Sequence, residues 1–244
     1  MILQNFVKAC ALVLNNEHKA NGIGTLGEKS LHAILKHTYE PDVSCHEKKE
    51  CGYYADISNG EGIIEIQTRN FNTLRRKLQE FLQERPVRIV YPLARCKWIV
   101  WIDKETGEIT KKRKSPRTGR IYDAFNELYK IKLLLPDPNM RIDIVMIDLT
   151  EYRNLDGWSS DRKKGSSRYE RIPENIAEIV SFDRPADYKM MIPPELPERF
   201  NAKDYAGASG ISLRNARTAL NVLNHLGVIA RTGKKGNTNI FSLC

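Results

Sequence analysis

Two kinds of hydrophobic periodicity follow one another along the first 150 residues of the chain. Apolar residues at helical spacing predict amphipathic helices, and short runs of β-branched and aromatic residues predict strands. The predicted helices are 25–38, 71–84 and 121–135, and the predicted strands are 87–91, 97–103 and 141–149. The apolar start, 1–14, is interpreted as a further helix packed on the core. The pattern predicts one globular unit over this part of the chain.

A tight hairpin is predicted around Asn59-Gly60, because both residues tolerate positive φ and β-formers flank them. On the second strand, alternation puts Glu65 and Gln67 on one face with Ile63. Asp56 lies across the turn and can bring a second carboxylate to Glu65. Two close carboxylates repel each other unless a cation sits between them, and Mg²⁺ takes oxygen ligands of this kind. The hairpin therefore predicts a metal site.

This arrangement resembles the PD-(D/E)XK nuclease superfamily, in which an Asp precedes a hairpin turn and Glu-x-Lys follows on the next strand. Asp56 and Glu65 match the family's acids, Gln67 stands at the Lys position, and Ala55 stands where the motif has Pro. The resemblance implies that Asp56 and Glu65 bind Mg²⁺, with Mn²⁺ able to substitute. It also implies the main-chain carbonyl of Ile66 as a further ligand, and a role for Gln67 in orienting water or the scissile phosphate.

The order of elements over residues 20–92 extends the resemblance. It implies an α/β fold with a restriction-endonuclease-like core, in which helices flank a mixed central sheet. The family often carries a Glu on its first helix that completes the metal site, and Glu28 is the candidate here. Thr25-Leu-Gly-Glu28 also fits a capping box, with Glu28 at the third helical position. Both roles for Glu28 stay open.

The last fifty residues predict four elements in order. A short helix at 201–209 precedes a turn, and Ser212 caps a longer helix that ends near Leu226 before Gly227. Residues 228–243 predict a β-hairpin with a basic tip. Helix, turn, helix and basic hairpin resemble a winged helix-turn-helix domain.

The winged-helix resemblance implies a recognition helix in the major groove of DNA. Arg and Asn side chains can read guanine and adenine edges, whereas basic residues in the wing contact phosphates. The candidates on the helix are Arg214, Asn215, Arg217 and Thr218, and those in the wing are Arg231, Lys234 and Lys235. The alternative is a winged helix used for protein contact.

Positive charge is concentrated in two segments. The chain carries a formal net charge of +9, and residues 197–244 hold seven Lys/Arg against two acidic residues. Residues 111–120 hold six basic residues and no acid. Such a concentration of positive charge favours contact with phosphate groups. Lys111, Lys112, Arg113 and Lys114 are the candidates for a DNA-clamping arm in this run. The alternative is a solvated, flexible loop.

The pattern predicts three parts: a nuclease-like domain over 1–155, an extension and linker over 156–196, and a winged helix-turn-helix domain over 197–244. No stretch predicts a leader or a membrane span. Five scattered cysteines predict a reducing, cytoplasmic setting and no disulfide framework. His37, Cys45, His46 and Cys51 could be zinc ligands, but their spacing matches no standard zinc pattern.

These observations predict a Mg²⁺-dependent deoxyribonuclease that hydrolyses phosphodiester bonds and is positioned on duplex DNA by its winged helix. Many nucleases of this fold act as dimers so that both strands are cut, which makes a homodimer a candidate assembly. The alternative function is a DNA-binding regulator or adaptor with an inactive nuclease-like core, and Gln67 at the Lys position is the feature that supports it.

Overall fold

The computed structural model describes residues 2–20, 30–103, 106–156 and 167–244. The helices are α1 Ile2–Ala20, α2 Ser30–Tyr39, α3 Arg75–Glu84, α4 Phe125–Leu128, α5 Ala202–Ser209 and α6 Leu213–His225. The strands are β1 His46–Glu50, β2 Tyr53–Asn59, β3 Gly62–Ile66, β4 Val87–Ile102, β5 Arg113–Lys114, β6 Met140–Asn154, β7 Arg168–Phe182, β8 Arg199–Phe200, β9 Ile229–Lys235 and β10 Thr238–Leu243. Short 3₁₀ turns precede α3 and flank α4.

Seven strands form a mixed central sheet in the order β1-β2-β3-β4-β6-β7, with β5 paired to β4. β2 and β3 are antiparallel, whereas β3 and β4 are parallel. A second sheet has the order β8-β10-β9. The α/β class and the mixed sheet flanked by helices are as the sequence predicted.

The described residues fall into two compact units, each built from separate stretches of the chain. The first unit takes its residues from 1–47, 92–119 and 145–179, and the second from 48–91, 120–144 and 180–244. The partition of the sequence at residues 155 and 196 stays a prediction.

In the first unit, α1 packs against α2, and the second half of β4 lies beside β6 in the sheet. Residues Phe6, Ala9 and Val13 of α1 are buried, while Leu3, Val7 and Leu12 are exposed. The predicted N-terminal helix is therefore present and longer than expected, with one apolar face packed inward.

In the second unit, the hairpin of β2 and β3 has the register Ile57↔Ile64. Gly62, just after the turn, has φ of 146°, and a Cβ there would lie 2.4 Å from the carbonyl oxygen of Pro86. This close approach lets the backbone N–H of Ile63 donate to Pro86 O at 2.9 Å and start the parallel pairing with β4. Only glycine allows that conformation and that distance together.

The prediction of two separate strands at 87–91 and 97–103 was wrong, because β4 is continuous over 16 residues. Pro92 lies between the two predicted strands, and proline cannot donate to a sheet ladder. Val90 is the last β4 residue in the register with β3. Pro92 shares the orientation of Val90 and lies past the end of β3, where no N–H is needed on that side.

The expectation of an extension and linker after residue 156 missed β7, which runs for 15 residues at one end of the sheet order. Charged residues and Pro173 hide its alternation, and both are typical of an edge strand. The helix predicted over 121–135 is instead a 3₁₀ turn, the four-residue α4 and a second 3₁₀ turn.

The C-terminal helices lie where the sequence predicted them. The Ser212 hydroxyl accepts from the backbone N–H of Asn215 and caps α6, while Gly227 takes φ of 70° after its end. α6 packs against α5 and α4. Tyr205 of α5 is fully buried, and its hydroxyl donates to the carbonyl of Met191 at 2.7 Å.

Candidate functional site

The hairpin brings the two predicted carboxylates together. One step beyond the Ile57↔Ile64 pair, Asp56 in the middle of β2 lies beside Glu65 near the end of β3. The backbone N–H of Asp56 is 3.4 Å from Glu65 Oε1, and Asp56 Oδ2 accepts from the backbone N–H of Ile66 at 2.7 Å. The Asp56 carboxylate is thus fixed against the β3 backbone, next to Glu65.

A lysine that the sequence analysis missed completes this cluster. Lys77 of α3 places its Nζ 2.7 Å from Glu65 Oε2, and the Lys77 side chain is 17% exposed. Its ammonium also lies 5.5 Å from the centroid of the Phe81 ring. The available signal was position: Lys77 follows Leu74 by three residues and precedes Phe81 by four, so it lies on the apolar stripe of α3.

Burial and the neighbouring carboxylate both oppose ionisation of Glu65. Glu65 is only 2% exposed. Burial, and then repulsion from Asp56, raise the pKa of Glu65 to about 7, although the charge and hydrogen bond of Lys77 act in the opposite direction. A divalent cation between the two carboxylates would offset this repulsion.

Gln67 lies one residue past the end of β3. Its side-chain amide donates to the carbonyl of Arg69, and it lies 3.4 Å from the carbonyl of Asn70, which has φ of 60°. Its backbone N–H donates to Val90 O at 2.9 Å. In this structure the amide holds the loop that leads into α3.

The cluster suits a hard divalent ion by its donor chemistry. Asp56 and Glu65 supply carboxylate oxygens, and the carbonyl of Ile66 is an oxygen donor of the kind Mg²⁺ prefers. Within the described residues, no group of three or more His, Cys, Asp or Glu side chains could hold a metal, and this includes the His37 and Cys45 candidates for zinc. Glu28, the third predicted carboxylate, lies outside the described residues.

The DNA-reading candidates lie on α6 and the C-terminal hairpin. Arg214 and Arg217 are exposed, whereas Asn215 and Thr218 are half-buried. The three wing candidates, Arg231, Lys234 and Lys235, are all exposed.

Two of these candidates come together across a pocket between α6 and β10. The pocket has a volume of about 470 Å³ and is lined by Arg217 and Arg231 together with asparagine side chains, among them Asn221, Asn224 and Asn239. With Lys203, which also lines the pocket, the lining supplies three cations and several amide groups. Amides and guanidinium groups can hydrogen-bond to base edges and phosphates.

The basic run is anchored to the sheet at several points. Arg113 and Lys114 form β5 on β4, and Ser115 N donates to Lys97 O at 2.7 Å. The side chains of Lys111, Lys112, Arg113 and Lys114 are all exposed. Lys112 pairs with Glu174 and lies 4.7 Å from the centroid of the Trp98 ring.

A family model described as "Domain of unknown function (DUF8091)" matches residues 29–183. The chain belongs to the DUF8091 family. The matched stretch includes Asp56, Glu65 and Lys77, so the carboxylate cluster lies within the DUF8091 domain. A protein of Treponema pallidum (strain Nichols), described as "Uncharacterized protein", is 28% identical over 226 residues, which are 90% of this chain and 86% of that protein. No solved structure matches the chain significantly.

Among the residues that the structure describes, none of the helices combines the length and apolar character needed to cross a membrane.

Proposed function

We propose that this DUF8091 protein is a metal-dependent DNA endonuclease with a restriction-endonuclease-like core and a C-terminal winged helix. The observation that carries the proposal is the meeting of Asp56, Glu65 and Lys77 at the end of one hairpin. Two acids and a lysine are the side chains of the PD-(D/E)XK motif. Here the lysine comes from α3 instead of the strand position held by Gln67.

The winged helix is supported by packing as well as element order. α6 packs against both α5 and α4, so the three helices meet at α6. β8 pairs with β10 and adds a third strand to the C-terminal hairpin. Three helices and a small three-stranded sheet are the elements a winged helix needs, and the basic residues of α6 and the wing are exposed.

In the proposed mechanism, Asp56 and Glu65 would hold Mg²⁺, with the Ile66 carbonyl as an additional donor. A bound Mg²⁺ would lower the pKa of a coordinated water and offset charge on the phosphate. Lys77 holds an ammonium next to Glu65, where it can donate to a phosphate oxygen as negative charge develops. Gln67 holds the loop before α3, so the role expected of the motif lysine passes to Lys77.

A second candidate function rests on the same contact. If the ammonium of Lys77 stays on Glu65, it takes the place of a metal ion and the core is inactive. The chain would then be a DNA-binding regulator or adaptor. Metal binding separates the two proposals, because an inactive core of this kind has no need to bind Mn²⁺ through Asp56 and Glu65.

The direct test is a cleavage assay on supercoiled plasmid and on a branched duplex, in Mg²⁺, Mn²⁺ or EDTA. We expect the parent protein to cut with either metal and Asp56→Asn to lose cleavage. Asparagine keeps an oxygen that can accept from Ile66 N, so the hairpin should stay folded while the charge is removed. Glu61→Gln, an exposed change on the same hairpin, is the matched control. Equal cutting by Asp56→Asn and the parent would refute the site.

DNA binding by the winged helix gives an independent prediction. Arg217→Ala and Arg231→Ala should each weaken duplex binding by about tenfold, because each removes a cation from the α6 and wing surface. Arg231→Ala should also reduce the slope of log Kd against log salt by about 1, as expected for a phosphate contact. Fluorescence anisotropy in EDTA measures both. Lys49→Ala, an exposed cation of β1 that does not line this pocket, provides a comparison for general charge loss.

A further inference from the structure

A buried carboxylate in the first unit is surrounded by four cations. Glu151 of β6 is 0% exposed. Arg153 meets its Oε1 through Nη2 at 2.6 Å and Nε at 2.7 Å. Arg171 and Arg168, both on β7, meet Oε2 through Nε at 3.0 and 3.1 Å, and Lys97 Nζ on β4 lies 3.6 Å from Oε1.

The cluster holds more positive charge than Glu151 can neutralise. Among the described residues, this single carboxylate contacts four cations. Of the neighbouring acids, Asp148 and Glu174 are engaged by Arg95 and Lys112, and Glu170 accepts from the backbone N–H of Arg171. One or two partners would satisfy a single buried carboxylate, and each additional cation adds repulsion.

The titration behaviour of the cluster agrees with this surplus. Burial opposes the charge of Glu151, but the surrounding Arg171, Arg168 and Lys97 hold its pKa down at about 2, so it stays ionised. The pKa of Lys97 is lowered by burial and then by repulsion from Arg153, Arg171 and Arg168, despite attraction to Glu151. The cations around Glu151 therefore repel Lys97 while they keep Glu151 ionised.

The four cations are reachable from solvent. The side chains are 22–35% exposed: Lys97 23%, Arg153 28%, Arg168 35% and Arg171 22%. Glu151 meets Arg168 and Arg171 through the Nε atom of each guanidinium. Arg153 also lies 5.7 Å from the centroid of the Trp101 ring, which adds an aromatic surface next to the cations.

We infer that Lys97, Arg153, Arg168 and Arg171 form a binding site for the phosphate backbone of a nucleic-acid strand, with Glu151 as the residue that positions them. The inference rests on the proposed function and adds a phosphate-binding surface to it. Guanidinium groups match phosphate geometry, and aromatic side chains beside them suit nucleic-acid bases. The cations come from β4, β6 and β7, which are neighbours in the sheet order, so three strands contribute to the site.

The test is anisotropy of a short labelled duplex and of its single strand over a KCl series in EDTA, with the full chain. Arg168→Gln plus Arg171→Gln should weaken binding by about tenfold to a hundredfold and reduce the salt slope by about 2. Arg95→Gln breaks an ion pair in the same unit and is the matched control. Inorganic tripolyphosphate is titrated in parallel as a source of free phosphate.

The inference also predicts that the double variant folds as stably as the parent. Arg153 and Lys97 still neutralise Glu151 in the double variant, so its melting temperature should stay near that of the parent. A structural ion-pair network predicts the reverse: a lower melting temperature with an unchanged salt slope. That result would overturn the inference. Failure of both single variants, Arg168→Gln and Arg171→Gln, to fold would also overturn it. One further result would overturn it: tripolyphosphate raises the melting temperature of the parent, but the Gln substitutions leave oligonucleotide binding unchanged.

The readout separates this inference from the catalytic proposal. If the parent cuts DNA and the cluster variants bind like the parent, the nuclease stands and the phosphate site is refuted. If the parent never cuts but binding falls in the cluster variants, the phosphate site stands and the nuclease is refuted. A parent chain that binds no nucleic acid at all refutes the phosphate site.

Discussion

Replacing Glu65 by glutamine should reduce metal-dependent DNA cleavage by about 10³-fold or more while leaving DNA binding intact. The amide keeps the size of the side chain, and its oxygen can still accept from Lys77, so the hairpin and α3 should remain in place. What it loses is the negative charge that binds the metal ion and activates water through it. Plasmid cleavage at saturating Mg²⁺, with binding measured in EDTA, checks both parts.

The same substitution should remove a pH dependence of stability. The pKa of Glu65 is about 7 in the folded chain, above its ordinary value of 4.5. The folded state therefore binds the proton more tightly between these values, and the free energy of unfolding falls as pH rises from 4.5 to 7. The loss should be on the order of 3 kcal/mol and complete above pH 7.

Urea unfolding of the parent and Glu65→Gln at several pH values between 4 and 8 measures that difference. The variant should lack the decline assigned to Glu65, and Glu61→Gln should retain it because Glu61 is exposed on the same hairpin. Mg²⁺ should stabilise the parent most above pH 7, where the carboxylate is ionised without a proton to displace. A parent curve without any decline in this range would contradict the strained carboxylate pair.

The hairpin was the part of the candidate site that the sequence could predict. Its turn chemistry and alternation are local, and they place Asp56 beside Glu65 without knowledge of the rest of the fold. The C-terminal helices were equally accessible, because Ser212 and Gly227 mark the two ends of α6 within one stretch of chain. Local rules were sufficient for these two segments, but not for 121–135, where helical spacing gave two 3₁₀ turns around the short α4.

The remainder depends on pairing between distant strands and helices. Lys77 reaches Glu65 only because α3 packs on the sheet, and the sequence shows no more than a lysine on an apolar stripe. The Glu151 cluster needs β7 beside β6, and β7 reads as a charged segment with a proline. Long-range register decides which charges meet, and a single sequence does not encode it in any short pattern.

Lys77 also decides between the two functions. An ammonium on Glu65 can serve a phosphate in an active site, or it can replace the metal in an inactive one. In an active site, Lys77 increases the rate of cleavage. In an inactive core, Lys77 instead neutralises the charge of Glu65. The lysine is therefore the residue whose removal gives opposite results for the two proposals.

Lys77→Met should reduce cleavage by about 10²-fold to 10³-fold, because methionine keeps most of the apolar stem but cannot donate to a charged phosphate oxygen. Lys77 lowers the pKa of Glu65, so its removal should also shift the pH–rate profile to higher pH. Lys77→Arg keeps the charge and should retain more activity than Lys77→Met. Arg76→Met, an exposed change one residue away on α3, is the matched control and should cut like the parent.

For a regulator with an inactive core, Lys77→Met has a different consequence. Neither the parent nor the variant would cut, and the variant alone would bind Mn²⁺, because the carboxylate pair would have lost the ammonium that stands in for a metal. Electron paramagnetic resonance of free Mn²⁺ distinguishes the cases. Mn²⁺ bound by the parent and lost in Glu65→Gln supports the nuclease, and Mn²⁺ bound only after Lys77 is removed supports the regulator.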